Sequence, residues 1–174
     1  MVEPPAVELD ADAILEILDR HEVQYVVIGG FAALLHGAPL VTVDIDITPA
    51  SDHENLERLA RALTELGSKL RASGVEDLLT IPLDARTFEQ FPAVLNLRTD
   101  HGDLDITLQP SAPDGRTFSY DELAASAVEA HTPRRVIVAS IDHIIASKRA
   151  AGRPKDLASL DLLEELRAQL RDPG

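Results

Sequence analysis

The segment YVVIGGFAALLHGAPLVTVDIDI, residues 25–47, decides the fold of this 174-residue chain. The segment begins inside a short apolar run rich in β-branched residues, which starts two residues earlier and predicts a strand over residues 23–28. The strand ends at Gly29-Gly30, and helix-compatible residues follow over 31–36 before a glycine and a proline interrupt them. The segment therefore opens with a strand, a glycine turn and a short helix.

The second part of the segment places two carboxylates on one strand. Residues 41–48 alternate aliphatic side chains with threonine and aspartate, which predicts a strand that Pro49 ends. Asp44 and Asp46 are two positions apart, so their side chains leave the same face of that strand. The alternate residues are expected to point into the core and to fix the register: Val43, Ile45 and Ile47.

The order of the glycines and the acids indicates the chemistry. Glycines allow the backbone to approach a phosphate closely, and a helix N-terminus offers unpaired N–H groups to an anion. Paired carboxylates suit Mg²⁺, which prefers oxygen ligands and keeps free positions for substrate phosphates. A double glycine alone usually marks a tight turn, and paired acids alone are as often the solvated face of an edge strand. Their succession in one segment favours a site that binds metal and a phosphorylated ligand.

A third carboxylate with similar neighbours lies later in the chain. Asp105 is flanked by Leu104 and Ile106, just as Asp46 is flanked by two isoleucines. On a strand beside the first two acids, Asp105 would complete a metal site or take the proton from an attacking hydroxyl. Asp103 is assigned instead to a hairpin turn over residues 100–103.

The remaining pattern predicts mixed α and β structure, with helices heaviest at the C-terminal end. Further strands are predicted over residues 93–99, 104–108 and 136–138. Helices are predicted over residues 11–20, from an N-cap at Ser51 to Gly67, over 120–128, from Ser140 to Gly152, and after Pro154. The last helix is expected to bury one face of five leucines: Leu157, Leu160, Leu163, Leu166 and Leu170.

Length and composition indicate one folded unit, since 45% of the residues are hydrophobic. We expect an N-terminal helix within residues 1–22, a core over 23–139 and a helical part over 140–174. No apolar run approaches the ~20 residues that span a bilayer, and no secretory pattern opens the sequence, so a cytoplasmic location is expected. The chain has no cysteine, so any metal is held by oxygen or imidazole.

The charge is unevenly distributed along the chain. A formal net charge of −14 argues against a surface built for general nucleic-acid binding. Residues 134–155 nevertheless carry about +5 by simple counting, which indicates a local basic site. Aromatic residues make up only 3%, so stacking platforms for single strands are not indicated. The histidines show no metal-ligand spacing, and His36 is expected to cap a helix or pack near the site.

Gly29-Gly30, thirteen intervening residues, Asp44-Ile45-Asp46 and the later Asp105 together resemble the polymerase-β-like nucleotidyltransferase superfamily. Residues 25–47, with His36-Gly37 and Thr42, are similar to the AbiEii and MenT group of nucleotidyltransferase toxins and their relatives. The similarity extends from about residue 23 to about residue 163. It implies an α+β fold in which a mixed β-sheet is flanked by helices, with a helical C-terminal part. Residues 23–139 would then be the nucleotidyltransferase core.

A second block, SKRAAGRPKDL at residues 147–157, resembles the lysine-to-aspartate segment that ends these domains. In the family that lysine and that aspartate, here Lys148 and Asp156, are implicated in activity. Lys148 can neutralise a phosphate as a point charge, while Asp156 would orient Lys148 or Arg153. The family often carries another acid three residues after the aspartate, but Ser159 stands there.

The resemblance implies transfer of a nucleoside monophosphate from an NTP, such as ATP, to an acceptor. Metal, as Mg²⁺ or Mn²⁺, would bind Asp44, Asp46 and Asp105, and the nucleotide would bind Gly29, Gly30, Thr42 and Lys148. The acceptor would be RNA, at the 3′ end of a tRNA, received by Arg149, Arg153 and Lys155, and the protein would be a toxin with a partner antitoxin.

Two alternatives stay open from the sequence. One is an acceptor other than RNA, namely a protein side chain or a small molecule such as an aminoglycoside. The other is a nucleotide-binding regulatory domain that kept the fold and lost the chemistry.

Overall fold

The computed structural model describes residues 7–72, 75, 77–90 and 94–172. They form a mixed seven-stranded sheet flanked by helices, which confirms the predicted α+β class. The strands are β1 Tyr25–Ile28, β2 Asp44–Pro49, β3 Lys69–Leu70, β4 Val94–Thr99, β5 Gly102–Thr107, β6 Val128–His131 and β7 Arg135–Val138. The helices are α1 Ala11–Arg20, α2 Gly29–Leu35, α3 His53–Glu65, α4 Ala85–Gln90, α5 Tyr120–Ala125, α6 Ile141–Ala151, α7 Pro154–Ala158 and α8 Leu160–Arg171.

The sheet order β3-β4-β5-β2-β1-β7-β6 places the two acid-bearing strands side by side. β2 pairs with β5 in parallel, and Asp46 lies opposite Asp105 in the register. β1 pairs with β2 antiparallel, so Ile28 lies on the other side of Asp46. The sheet therefore brings together carboxylates that are 59 residues apart in sequence.

The core lies against the opposite face of these central strands. Ile45 and Ile47 of β2 and Leu104 and Ile106 of β5 are fully buried, and they alternate with the acids. Helices α1 and α3 add apolar stripes to the same hydrophobic core cluster at helical spacing. The alternation of strand side chains therefore separates a packed core face from an acidic face.

The strand that carries the acid pair is shorter than predicted. β2 begins at Asp44, and Val43, expected in the core, is 71% exposed. The reason lies in β1, which ends at Ile28 opposite Asp46, so that before Asp46 the chain pairs with β5 on one side. Residues 40–43 therefore run past the end of the β1–β2 ladder as a loop.

Several helix and turn predictions also need correction. Asp52, not Ser51, caps α3, since its carboxylate accepts the Asn55 N–H at 3.0 Å. Gly29 and Gly30 are the first residues of α2 and not a separate turn. Asp103 belongs to β5, not to the hairpin turn, because its backbone pairs with that of Arg98.

The C-terminal third differs from the prediction in two places. The helix predicted over residues 120–128 ends at Ala125, and β6 begins at Val128. The helix after Pro154 is broken at Ser159, and of its five predicted inner leucines only Leu163 is fully buried. Ala93, predicted to open a strand, lies outside the described residues.

Among the residues that the structure describes, no helix is both long enough and apolar enough to cross a membrane.

A buried asparagine ties α3 to the two strands that form the base of the site. Asn55 is fully buried; its Nδ2 donates to the carbonyls of Gln24 at 2.9 Å and Ala50 at 2.8 Å. Its Oδ1 accepts the Gln24 N–H at 2.7 Å. One side chain thus satisfies three backbone groups beside β1 and β2.

Replacing this residue by a leucine of similar size, Asn55→Leu, is expected to lower the free energy of unfolding by about 2–4 kcal/mol, because it strands buried backbone groups. Urea denaturation measures the loss. Thr64→Ala on the same helix removes only a hydrogen bond to the Ala60 carbonyl and serves as the control. Equal, small losses in the two variants would contradict this role for Asn55.

Candidate active site

The acidic face of the sheet carries the three predicted carboxylates. Asp44 and Asp46 leave β2 on the same side, and Asp105 leaves β5 beside Asp46. Thr42 Oγ1 donates to the Asp44 carbonyl oxygen at 2.9 Å and lies 3.1 Å from Asp44 Oδ1. Thr42, predicted to bind nucleotide, therefore also holds the first acid in place.

The glycine pair lies directly against these side chains. Gly29 has φ +67°, and a Cβ on it would lie only 2.3 Å from Asp46 Oδ2. A Cβ on Gly30 would lie 3.4 Å from Thr42 Oγ1. Glycine at position 29 is thus required twice, by its backbone conformation and by the carboxylate. The start of α2 can approach the acids because these side chains are absent.

The surroundings of two acids favour their protonated forms. Burial, and then repulsion from Asp44 and Asp105, raises the pKa of Asp46 to about 7. Burial also raises the pKa of Asp105 to about 6, although the Arg71 guanidinium acts in the opposite direction. The acidic face therefore holds more negative charge than its own side chains stabilise.

Two arginines that were not predicted as site residues contact this face. Arg71 Nη2 donates to Asp105 Oδ1 at 2.9 Å, and Arg71 Nη1 lies 3.5 Å from Asp103 Oδ2. Arg98 Nε donates to Asp103 Oδ1 at 2.9 Å. Within the described ranges, no three acidic or histidine side chains form a ready metal site, and Asp105 is bound by Arg71 instead. Arg71 follows β3, in a segment whose sequence pattern was mixed.

The second predicted block forms a compact charge cluster. Asp156 is 2% exposed; it accepts from Lys148 Nζ at 3.3 Å and from Arg153 Nε at 2.6 Å. Burial opposes ionisation of Asp156, but Arg153 and Lys148 outweigh it, so its pKa is lowered. Asp156 therefore contacts both cations, whereas the sequence led us to expect Lys148 or Arg153. Gly152, in the left-handed conformation, ends α6 and reverses the chain toward α7.

A cleft of about 590 Å³ separates the acidic face from α6, and both predicted blocks line it. The predicted residues that line it are Gly29, Gly30, Thr42, Asp44, Asp46, Asp105, Lys148, Arg153, Lys155 and Asp156. Arg153 and Lys155 are near enough to lower the pKa of Asp46. The fold thus brings acids and bases from opposite ends of the sequence to one cleft.

Arg149, the remaining predicted residue, is not among the residues that line this cleft. Its guanidinium pairs with Glu164 of α8 at 2.5 Å. The bases upstream are paired too, Arg134 with Glu16 and Arg135 with Glu129. The positive charge counted over residues 134–155 is therefore largely compensated. The basic residues of this stretch that line the cleft are Lys148, Arg153 and Lys155.

Sequence reasoning missed the far end of the cleft. Phe118, Leu123, His143 and Ile144 line it on the side of α5 and α6. No motif marks these residues as part of a site, so only their proximity in space identifies them. His36, predicted to cap a helix or pack near the site, lies 2.8 Å through Nε2 from the Ala139 carbonyl and ties α2 to the chain before α6.

Comparison with known proteins finds likeness in three dimensions. No family model matches the sequence, and no curated protein matches it. The lincosamide antibiotic adenylyltransferase LnuA, in its lincomycin-bound structure, is 16% identical with a TM-score of 0.60, covering 93% of this chain and 99% of LnuA. ANT(2″)-Ia in complex with adenylyl-2″-tobramycin is 19% identical with a TM-score of 0.55, covering 92% of this chain and 94% of that protein.

A third similar structure comes from Thermotoga maritima. TM1012, assigned there as a nucleotidyltransferase, is 21% identical with a TM-score of 0.52, and the match covers 95% of this chain and 97% of that protein. All three matches span nearly the full length of both chains at low identity. The chain therefore has the nucleotidyltransferase fold, as its sequence motifs predicted.

The raised pKa of Asp46 predicts a pH-dependent cost to stability. Its folded-state pKa of about 7 lies above the ordinary value of 3.8, so ionisation opposes folding increasingly as pH rises through this window. Asp46→Asn should therefore stabilise the metal-free protein at pH 8 by about 1–3 kcal/mol, and the gain should disappear near pH 4.

Urea denaturation in EDTA at several pH values tests this expectation. Asp161→Asn, at an exposed position on α8, controls for the loss of a charge elsewhere. A gain that stays the same from pH 4 to pH 8 would show that ionisation of Asp46 is not its cause.

Proposed function

We propose that this protein is a metal-dependent nucleotidyltransferase that transfers a nucleoside monophosphate from an NTP to a hydroxyl-bearing acceptor. The observation that carries the proposal is the meeting, in one cleft, of the Gly29–Asp46 contact with the Lys148–Asp156–Arg153 cluster. One side of the cleft supplies carboxylates that can bind a cation, and the other supplies basic side chains that can bind phosphates. The shared fold of LnuA and ANT(2″)-Ia supports this reading.

The donor set fits a hard divalent cation. Asp44, Asp46 and Asp105 offer carboxylate oxygens, the ligands that Mg²⁺ and Mn²⁺ accept. Burial and, after it, repulsion from neighbouring carboxylates raise the pKa of Asp46 and Asp105, and a bound cation would offset both effects. A bound Mg²⁺ or Mn²⁺ would supply Lewis-acid stabilisation of phosphate charge. Asp105 would first exchange its contact with Arg71.

The side chains of this protein would divide the remaining work. Backbone N–H groups at Gly29 and Gly30 would bind phosphate oxygens, and Lys148 and Arg153 would neutralise the leaving pyrophosphate. Asp105 would accept the proton of the attacking hydroxyl. The acceptor oxygen then bonds to the α-phosphorus as the bond from the α-phosphorus to the bridging oxygen breaks, and pyrophosphate leaves.

Two acceptor classes are proposed. The resemblance to the AbiEii and MenT group supports an RNA acceptor, a tRNA 3′ end, in a cytoplasmic toxin controlled by an antitoxin. A small-molecule acceptor is supported by the compensated charges of Arg134, Arg135 and Arg149 and by the net charge of −14. LnuA is seen with lincomycin and ANT(2″)-Ia with adenylyl-2″-tobramycin, which also supports a small acceptor here.

Transfer of label from α-³²P-labelled NTPs is the direct test of the reaction. With Mg²⁺ and total RNA, total protein or a panel of hydroxylated small molecules, the native chain should label one class of acceptor. Asp44→Ala and Asp46→Ala should each lower the rate by a factor of roughly 10³ or more, because both remove metal ligands. Asp161→Asn, on the exposed side of α8, should retain the native rate.

Label transfer by the Asp46→Ala variant at the native rate would contradict the proposed mechanism. A native protein that binds NTP and Mg²⁺ but labels nothing would instead support the regulatory, catalytically silent alternative.

The two acceptor classes predict different responses to salt. If RNA is the acceptor, Arg149→Ala should raise the KM for RNA several-fold and reduce the salt dependence of binding by about one phosphate contact. If the acceptor is a small molecule, the same variant should behave as the native protein does. Arg135→Ala, on the distant β7, is the matched control. Equal effects of both variants would contradict a specific role for Arg149.

A further inference from the structure

We propose that the far end of the cleft binds the base of the nucleotide, with His143 Nε2 donating a hydrogen bond to a ring nitrogen or carbonyl oxygen of that base. This inference rests on the proposed function, since it assigns the part of the NTP that the acids and Lys148 leave unbound. Five residues of helix separate His143 from Lys148, which corresponds to a rise of about 7.5 Å along α6. The two side chains therefore line the same cleft more than one helical turn apart.

The walls of this end suit a flat ring with apolar faces. Phe118, Leu123 and Ile144 line it, and they are 7%, 2% and 3% exposed. The Phe118 ring meets the His143 ring edge to face, with centroids 4.6 Å apart and planes at 76°. An aromatic and aliphatic wall with one polar ring in it is the usual composition of a small-molecule pocket.

The neighbours of His143 occupy one of its two ring nitrogens. Nδ1 lies 3.0 Å from Ser126 Oγ and 3.2 Å from Ser140 Oγ, and both hydroxyls can donate to it. A neutral imidazole that accepts at Nδ1 carries its hydrogen on Nε2. In the part of the chain that the structure describes, Nε2 has no hydrogen-bond partner. Nε2 is therefore the ring nitrogen left for a ligand in the cleft, and it donates in the tautomer whose Nδ1 accepts from the serine hydroxyls.

The other open part of the cleft is better placed for the acceptor. The hydroxyl of the acceptor has to reach Asp105, whose neighbours across β4 are Asn96 and, further along, Val94. His143 instead approaches from α6, and Phe118 approaches from the chain before α5. A nucleotide with its phosphates at Lys148 would thus extend its base toward His143 while the acceptor approaches over β4.

Calorimetric titrations with each of the four NTPs and with inorganic tripolyphosphate, in Mg²⁺ and without acceptor, test the proposal. His143→Phe keeps a ring but removes the donor, and it should weaken binding of the preferred NTP about 3–10-fold. Binding of tripolyphosphate, which has no base, should stay unchanged. His143→Gln, whose amide can donate from a similar position, should retain most of the affinity.

Two further variants keep the test informative. Ser126→Ala removes one hydroxyl from Nδ1 of His143 with little change in packing. It should make the affinities for the four NTPs more alike. His53→Phe, an exposed histidine paired with Glu89, should match the native protein. Equal losses for NTP and tripolyphosphate, or an effect confined to the KM of the acceptor, would overturn the assignment of the base. A native protein that binds no NTP would overturn the proposed function itself.

Discussion

The contact between Gly29 and the Asp46 carboxylate is the constraint on which the site depends. β1 pairs antiparallel with β2 so that Ile28 lies opposite Asp46, and the next residue has to pass over that carboxylate. Only a residue that lacks a Cβ and readily adopts φ +67° can do so, and glycine meets both conditions. The same residue begins α2 beside the acids, where the β1–β2 ladder ends. The helix N-terminus, the acid pair and the loop over residues 40–43 are thus consequences of one steric requirement.

The electrostatics of the acidic face follow from that packing. Among the described residues, each acid of this face except Asp46 has a polar side-chain partner: Thr42 for Asp44, Arg98 for Asp103, and Arg71 for Asp105. Asp46 faces the start of α2, and the basic side chains that influence it most are Lys155 and Arg153 across the cleft. A bound divalent cation would neutralise the charge of the Asp46 carboxylate. Arg71 holds Asp105 through Nη2, while its own Nε is buried and has no hydrogen-bond partner among the residues that the structure describes.

Local patterns in the sequence were sufficient for the features that depend on neighbours in the chain. Gly29-Gly30, Asp44 and Asp46 could be predicted because strand alternation and the glycine pair lie within one short segment. The pairing of Asp46 with Asp105 was expected from resemblance, because no local rule determines which distant strand lies next to β2. Val43 was misassigned because alternation continues in the sequence after the partner strand has ended.

Residues that act through tertiary contacts were beyond such rules. Arg71 reaches Asp105 through the pairing of β3 with β4, and Nδ1 of His143 is occupied by Ser140 and by Ser126, which lies after α5. The leucines after Pro154 follow a helical period, yet a break at Ser159 turns α7 away from α8, and Leu157 and Leu170 stay half exposed. Periodicity predicts which face is apolar, whereas burial depends on what packs against it.

The distribution of positive charge limits what the cleft can recognise. Counted along the chain, residues 134–155 look like a basic surface, but in the fold Arg134, Arg135 and Arg149 each lie against an acid outside the cleft. Lys148 and Arg153 share the single charge of Asp156, and Lys155 adds one more cation. A cluster of this size matches one triphosphate, not a long polyanion. Under the proposed function, recognition of the acceptor therefore has to rest on groups other than these basic side chains, and the cleft is also lined by uncharged residues such as Val43, Val94 and Asn96.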